Sequence, residues 1–552
     1  MSYLKNHRMD RVPQTEPLAG QVENSAAGYS WSVDDWTRLR RFLILGSEGG
    51  SYYASERKLT RKNVEAVERA VRADGKRAVA EIVAVSREGR APKNAPALYA
   101  LALAAGIGDA ETLKAALEAL PQVARTGTHL FQFASFVETF RGWGRSLRRG
   151  IGRWYVAQSV DALAYQAVKY RQREGVTHRD LLRLSHPAQS VSAGNPTLAV
   201  SDEHRRLFEW IVRGGDTEGA PRLVEGFVRA QNTESPVQAA ELVREYRLPR
   251  EAVRPEHLTS PEIWEALLED MPMTALVRNL ATMTRVGVLA PGSAGTARVV
   301  AQLGDGERIR RARLHPIAVL AALRTYACGR GVRGRSTWVP VREIVDALDA
   351  AFYSAFGNVE PVGKRFLLAL DVSGSMTSGS VAGVPGLTPR DASAALALVT
   401  VATEPAVEVV GFYAGDGYVR RGAGRFRGRA DGLTPLSLSP RQRLDDAVRT
   451  VTDLPFGGTD CALPMLYAQA LEREIDTFVI YTDSETWAGE IHPAQALRDY
   501  RRASGIEARL VVVGMVSNGF SIADPADAGM LDVVGFDTAT PQLISDFARG
   551  AL

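Results

Sequence analysis

Cysteine is scarce in this sequence, with two residues among 552. Cys328 and Cys461 lie far apart in the chain, and neither belongs to a Cys-x-x-Cys pair. A disulfide framework and a thiolate zinc site are therefore excluded, because each needs more cysteines at closer spacing. We expect both thiols to be buried among apolar side chains, as free cysteines usually are.

Long apolar runs are also missing. No stretch of about eighteen uncharged apolar residues occurs, which a membrane-spanning helix would need, and residues 1–10 carry charges without the apolar core of a secretory signal. We therefore expect a cytoplasmic protein that does not associate with membranes.

A chain of 552 residues exceeds what one hydrophobic core supports, so two or more domains are predicted.

Two catalytic motifs are absent as well. The sequence has no Gly-x-Ser-x-Gly elbow and no Gly-x-x-x-x-Gly-Lys-Ser/Thr loop, which are the usual anchors of hydrolase and nucleoside-triphosphate chemistry. If Asp371 were the nucleophile of a phosphatase, a second carboxylate would be needed at position 373 as the general acid, but that residue is Ser373. The protein is therefore predicted not to be an enzyme, and a metallohydrolase acting on RNA or phosphate esters is the weakest alternative.

Charge divides the chain into two unequal parts. Residues 364–552 hold 17 basic and 23 acidic residues, a net charge of −6, whereas residues 1–363 have a net charge of +10. A basic first half indicates a polyanionic partner.

The first half reads as a series of short helices separated by glycine-containing turns. Asp34 and Asp109 are predicted helix N-caps, Thr60 is a third, and Gly46 is predicted to end the first helix. Helical hairpins that are each too small to bury their own apolar face are typical of an α-solenoid of HEAT-like pairs.

The second half changes to apolar runs of strand length that alternate with helical stretches. The runs are residues 366–370, 407–412, 478–481 and 510–514. Nearly continuous apolar strands predict a doubly wound parallel sheet that is covered on both faces and binds ligands at the carboxyl ends of its strands. The polar, Arg- and Gly-rich segment 416–440 is predicted to be a mobile surface loop.

Oxygen-bearing side chains cluster at the predicted strand ends. Asp371, Ser373 and Ser375 follow the first strand, Thr459 precedes a helix, and Asp483 follows a later strand. Hydroxyl and carboxylate ligands without thiolate or imidazole suit a hard divalent metal, with Mg²⁺ favoured over Mn²⁺ or Ca²⁺, and leave positions open to an incoming carboxylate or phosphate. Alone, Asp-x-Ser-x-Ser could equally be a polar turn. The ordered set of loops, however, resembles the metal-ion-dependent adhesion site of von Willebrand A-type domains.

A basic region spans Arg141 to His186, with ten Lys or Arg residues against three acids. Five aromatic residues are interleaved with them, namely Trp143, Trp154, Tyr155, Tyr165 and Tyr170. Arginine next to aromatic rings is the pairing that contacts phosphates and stacks on unpaired bases. The alternative is a solvated helical face above core aromatics, with His178 and His186 as structural residues.

Longer segments resemble the Ro autoantigen family, whose helical part is the TROVE domain. They are residues 45–57, 125–129, 177–186 and 270–276 in the first half, and residues 313–316, 371–376, 458–465 and 482–487 in the second. The resemblance covers nearly the whole chain. It implies a TROVE-like helical domain over residues 1–361 and a von Willebrand A-type domain over residues 362–552, with the helical repeats forming a ring that the second domain bridges.

The resemblance also implies partners. Family members are expected to bind small noncoding Y-like RNA outside the ring and single-stranded 3′ tails of misfolded or structured RNA through its hole. Bacterial members are expected to act in RNA quality control as adaptors for a 3′ exoribonuclease such as polynucleotide phosphorylase. The candidate RNA contacts are Arg148, Arg149, Arg153, Lys169, Arg171, Arg173, His178, Arg179, Arg183 and His186.

One segment departs from the family pattern, since residues 187–200 are short and poor in basic side chains. The outer-surface contacts that the family makes there are therefore not carried over to this chain. The competing hypothesis is a metal-dependent protein–protein adhesion module that happens to be basic, with a carboxylate-bearing protein as the ligand of its metal site.

Overall fold

A computed structural model describes most of the chain. The described residues are 11–46, 56–91, 93–173, 175–187, 200–215, 217–312, 314–331, 336–355, 361–377, 381, 387–414, 418–421, 424–427, 432–440, 442–452, 454, 457–516, 518–534 and 540–550. Most of the family-like segment 45–57 and most of the short segment 187–200 lie outside these residues.

The first half is helical, as predicted. Its α-helices are Asp35–Leu45, Glu56–Ala73, Gly75–Glu88, Ala95–Ile107, Ala110–Val123, Gly127–Glu138, Arg145–Val156, Val160–Lys169, His178–Ser185, Asp202–Arg213, Arg222–Asn232, Pro236–Tyr246, Pro261–Glu269, Met273–Arg285, Ala294–Gly304, Gly306–Arg311, Pro316–Ala327 and Arg342–Ser354. The Asp34 and Asp109 side chains accept hydrogen bonds at the first turns of their helices, which confirms both predicted N-caps. The prediction for Thr60 is wrong, because that residue lies inside Glu56–Ala73.

The helices pack mainly against near neighbours in the chain and share one hydrophobic core, as expected of a helical-repeat array. The array also returns on itself, because His315 Nε2 lies 2.9 Å from the Arg90 carbonyl oxygen. Arg41, near the start of the array, and Arg324, near its end, both pair with aspartates of the second half. The second half therefore bridges the two ends of a ring-like array.

The second half is built on a six-stranded sheet. Its strands are β5 (Arg365–Asp371), β6 (Ala406–Phe412), β9 (Leu433–Leu436), β10 (Thr477–Thr482), β11 (Arg509–Gly514) and β13 (Met530–Val534), in the order β13-β11-β10-β5-β6-β9. All neighbours are parallel except β6 and β9. The helices of this half are Pro389–Thr403, Leu444–Thr452, Leu463–Ala470, Pro493–Ser504 and Thr540–Arg549.

Side chains of the central strands alternate between two cores. On β5, Leu368 and Leu370 belong to the core that continues into the helical half, whereas Leu367 and Ala369 belong to a second core on the other face. Such burial on both faces confirms the predicted doubly wound sheet. The chain leaves β5 towards β6 and later returns to the other side of β5 with β10, so the carboxyl ends of β5 and β10 flank the switch point of the sheet.

Two predictions about this half and its surroundings need correction. The segment 416–440 is not simply a loop, since its described residues include the hairpin of β7 (Tyr418–Arg421) and β8 (Gly424–Arg427) as well as edge strand β9. Cys461 is buried as expected, but Cys328 is exposed because it follows the end of a helix near the surface.

The amino-terminal segment departs from a simple linear division at residue 361. Strands β1 (Gln21–Glu23) and β2 (Tyr29–Ser32) pair with each other, and β2 pairs with β12 (Phe520–Ser521) of the second half. Among the described residues, no helix has the length and apolar character that crossing a membrane requires.

Candidate functional site

The first loop of the candidate metal centre follows β5. Asp371 ends that strand and is fully buried, and its Oδ1 accepts a hydrogen bond of 2.9 Å from the Ser373 backbone N–H. The Ser373 and Ser375 hydroxyl oxygens are 3.0 Å apart. This is the polar turn of the alternative reading, but its side chains point inward into a protein interior rather than to solvent.

Two further loops meet the first one. Thr482, at the end of β10, donates a 2.6 Å hydrogen bond to Asp371 Oδ2, which places the neighbouring Asp483 beside the first loop. The Thr459 loop is joined to both, because the Gly374 N–H donates to the Gly457 carbonyl and the Trp487 N–H donates to the Thr459 carbonyl. The structure thus brings together the five residues that the sequence singled out, although their role as metal ligands stays a prediction.

The electrostatics of these loops suit a bound cation. Burial raises the pKa of Asp371, and burial together with the charge of Asp371 raises the pKa of Asp483 to about 7. Two buried oxygens, Thr459 Oγ1 and Asp483 Oδ2, have no hydrogen-bond partner within the described part of the chain. A divalent cation would offset the repulsion between the carboxylates and satisfy both oxygens, so the residues present fit a hard metal ion.

Three residues next to the centre were not found from the sequence. Arg390 is buried, and its guanidinium donates to the carbonyl oxygens of Val372 and Ser373. Asn518 donates a 2.6 Å hydrogen bond from Nδ2 to the Asp483 carbonyl, and Gln14 contacts the Thr459 loop. No short-range pattern marks these residues, because they lie 17 to 446 residues along the chain from the loop residues that they contact.

The second candidate site is the basic region of the helical half. It comprises the helices Arg145–Val156, Val160–Lys169 and His178–Ser185 and the hairpin of β3 (Gln172–Arg173) and β4 (Val176–Thr177). Six predicted RNA contacts are exposed, namely Arg148, Arg149, Arg171, Arg179, Arg183 and His186. Arg153 and Lys169 are half-buried. The side chain of Arg173 lies outside the described part of the structure.

His178 is a correction to the predicted set. Its side chain is 2% exposed, its Nδ1 lies 2.9 Å from the Tyr155 hydroxyl, and burial lowers its pKa to about 4. His178 is therefore a neutral packing residue rather than an RNA contact. Trp154 and Tyr155 are also buried, so the core-aromatic alternative is correct for these two rings.

The other aromatics of the region are partly accessible. Lys169 Nζ donates a 2.8 Å hydrogen bond to the Tyr165 hydroxyl and lies 5.0 Å from the centre of that ring and 5.4 Å from the centre of the Tyr170 ring. Because Lys169 is half-buried between two tyrosines, its ammonium is held at a fixed place on the basic surface.

Comparison with known proteins covers both halves. The TROVE domain family matches residues 22–213 and 247–325, and the Ro60 vWA domain family matches residues 365–548. Two relatives are named RNA-binding protein RO60. The one from Deinococcus radiodurans is 45% identical over 541 residues, 98% of this chain and 97% of its own length. The one from Caenorhabditis elegans is 37% identical over 617 residues, 99% of this chain and 93% of its own length.

The chain belongs to the Ro family. The crystal structure of the Deinococcus radiodurans RO (RSR) protein resembles this Ro-family chain with a TM-score of 0.69 and 43% identity, over 94% of this chain and 100% of that one. The family resemblance read from the sequence and the order of a helical part followed by an A-type domain are thereby confirmed.

Proposed function

We propose that this Ro-family protein is an RNA-binding scaffold rather than an enzyme. The observation that carries the proposal is a set of exposed arginines within residues 141–186: Arg148 and Arg149 on the helix Arg145–Val156, Arg171 after the helix Val160–Lys169, and Arg179 and Arg183 on the helix His178–Ser185. Of the three acids in that region, Asp180 is engaged in the capping box with Thr177. A surface with many guanidinium groups and few free carboxylates favours a phosphate backbone as its ligand.

The proposed RNA classes follow from the family resemblance. We infer that small noncoding Y-like RNA and misfolded or structured RNA with single-stranded 3′ tails are the ligands. The protein would present such RNA to a 3′ exoribonuclease of the polynucleotide phosphorylase kind, which fits a chain that offers a binding face and lacks a recognised catalytic motif. The proposed setting is noncoding-RNA quality control in the cytoplasm.

The metal centre would hold Mg²⁺ through Asp371, Ser373, Ser375, Thr459 and Asp483. A bound divalent ion supplies a position for an oxygen ligand from outside, and a carboxylate of a partner protein is the ligand that we propose. The protein's own part is to keep the two carboxylates and three hydroxyls together as buried side chains, with the Thr482 hydroxyl orienting Asp371.

Competition binding between two versions of one hairpin tests the proposal. We expect an RNA helix with a free 3′ tail to bind about five- to a hundredfold more tightly than the same helix made blunt, at one salt concentration. A tail can stack its bases on accessible rings such as Tyr165 or Tyr170, and each stacked base contributes roughly 1 to 3 kcal/mol. Equal affinities would contradict capture of the tail.

Copurifying nucleic acid separates RNA binding from the adhesion-module alternative. An RNA-binding scaffold purified from its own cells should show an excess of absorbance at 260 nm, and ribonuclease should remove that excess. An adhesion module without an RNA function should show neither that excess nor hairpin binding above the level of an unrelated basic protein.

A further inference from the structure

The amino-terminal arm, defined as residues 12–33, lies against the A-type domain although it precedes the helical array. Phe520 of β12 pairs with Ser32 of β2, and the Trp31 side chain belongs to the same core as Leu367 of β5. The arm is therefore part of the A-type domain's fold, and it reaches the side of that domain where the metal loops lie.

Gln14 is the arm residue that contacts these loops. It is fully buried, and its Nε2 donates hydrogen bonds of 2.8 Å to Asp460 Oδ1 and 2.9 Å to the Ile491 carbonyl. Its Oε1 accepts a hydrogen bond from the Thr486 hydroxyl. Both donor hydrogens and the acceptor of one amide are thus directed at the A-type domain.

The backbone of the arm fits equally closely. The Gln14 N–H donates to the Gly489 carbonyl at 2.9 Å. A Cβ at Gly489 would lie 2.2 Å from Gln14 Nε2, and a Cβ at Gly28 would lie 2.1 Å from the Thr486 carbonyl oxygen. Only glycine leaves room for these contacts, so Gln14 and the loops have little freedom to shift separately.

The two side chains that Gln14 hydrogen-bonds, Asp460 and Thr486, lie on either side of Thr459, which is one of the proposed metal ligands. Asp460 follows Thr459 directly and also accepts a hydrogen bond from the Ala462 N–H at 3.1 Å. The Thr486 hydroxyl lies 3.3 Å from the Thr459 carbonyl oxygen. Fixing Asp460 and Thr486 therefore fixes the backbone of Thr459 from both sides, while the Thr459 hydroxyl has no hydrogen-bond partner within the described residues.

We propose that Gln14 is a positioning residue for the metal centre, and that the docked arm and the bound ion stabilise each other. The inference rests on the metal centre of the proposed function. Because Gln14 is uncharged, it acts on the geometry of the Thr459 loop and not on the charge of the centre. By linkage, an arm that improves metal binding must itself be held more firmly when the metal is bound.

The first test measures Mn²⁺ binding to the full chain, following the electron paramagnetic resonance signal of free Mn²⁺. Replacing groups that orient metal ligands typically weakens binding ten- to a hundredfold, so we expect Gln14→Ala to weaken it about tenfold. Gln21→Ala is the matched control, because Gln21 lies on the same arm but its side chain contacts His492 and the Leu18 N–H. The control should stay within about twofold of the unaltered protein.

A double-mutant cycle shows whether Gln14 acts through its partner. If it does, Gln14→Ala should weaken Mn²⁺ binding less in an Asp460→Ala background than in the unaltered protein. Fully additive effects would show that Gln14 influences Mn²⁺ binding without Asp460, and would overturn the proposal that it positions the Thr459 loop through that carboxylate.

The outcomes separate this inference from the metal centre itself. If the unaltered protein binds Mn²⁺, Asp371→Ala does not, and Gln14→Ala binds normally, the positioning role is wrong and the metal centre stands. If the unaltered protein binds no Mn²⁺, or Asp371→Ala binds it equally well, both are wrong.

Hydrogen exchange gives a second readout that needs no substitution. The Gln14 N–H donates to the Gly489 carbonyl, and the Tyr29 N–H donates to the Gln14 carbonyl. Saturating Mn²⁺ should slow hydrogen exchange at both amides. Unchanged exchange at both amides would contradict the linkage even if the Gln14→Ala protein failed to fold.

Discussion

The helical half and the A-type domain place their charges in opposite ways. In the basic region most of the described guanidinium groups are exposed, and the core beneath them includes Trp154, Tyr155 and the neutral His178. In the A-type domain two carboxylates, Asp371 and Asp483, are buried at the ends of β5 and β10. An exposed array of like charges suits a long, flexible polyanion, whereas two neighbouring buried carboxylates suit a small cation. The two halves therefore suit the different ligands that we propose for them.

Removing a buried carboxylate of the A-type domain should have the largest effect on metal binding. We expect Asp371→Ala to lose Mg²⁺ or Mn²⁺ binding altogether, since the carboxylate is fully buried and organises the loop through Ser373 and Thr482. Calorimetric titration of metal into the folded variant measures the loss. Glu507→Ala, which removes an exposed carboxylate of the same domain, should bind metal normally. If Asp371→Ala still bound the metal, the binding site would have to lie elsewhere in the protein.

The helical half should instead be sensitive to acid. Burial lowers the pKa of His129, His178 and His315 to about 4. Their folded-state pKa values lie below the ordinary value near 6.5, so their neutral forms stabilise the fold above that pH, and the stability is lost as pH falls from about 6.5 towards 4. Each histidine should lower the free energy of unfolding by on the order of 1 to 2 kcal/mol when the pH falls to 5.

His315 offers a direct test of that sensitivity, because its Nε2 contacts Arg90 where the helical array returns on itself. A glutamine amide can donate to the same carbonyl without titrating. The thermal unfolding midpoint of His315→Gln should therefore fall less between pH 7 and pH 5 than that of the unaltered protein. Parallel decreases in the two proteins would assign the acid sensitivity to other groups.

The sequence predicted the features that arise from local patterns. Apolar runs placed β5, β6, β10 and β11 within a residue or so, and the polar residues after β5 and β10 identified the loops that meet at one sheet edge. These predictions are correct because the burial of a strand and the position of a loop depend on residues that are close together in the sequence.

Features that depend on long-range packing were missed. Gln14 lies hundreds of residues from Asp460, so no spacing rule joins them. His178 sits among arginines in the sequence, and only the three-dimensional packing against Tyr155 shows that it faces inward. The β7 and β8 hairpin was hidden by its Arg- and Gly-rich composition, because strand propensity is weak and depends on its surroundings.

Salt-dependent RNA binding shows whether the RNA site and the metal site are separate. The affinity for a tailed hairpin RNA should be measured over a range of salt for the unaltered protein, Asp371→Ala, the Arg148→Ala/Arg179→Ala pair, and Arg502→Ala as an exposed control in the A-type domain. Each lost phosphate contact should lower the log–log salt slope by roughly 0.7.

We expect the arginine pair to bind RNA more weakly with a flatter slope, and Asp371→Ala and Arg502→Ala to stay close to the unaltered protein, as separate sites require. An Asp371→Ala protein that is folded but binds RNA more than about tenfold more weakly, a change of roughly 1.4 kcal/mol, would contradict it.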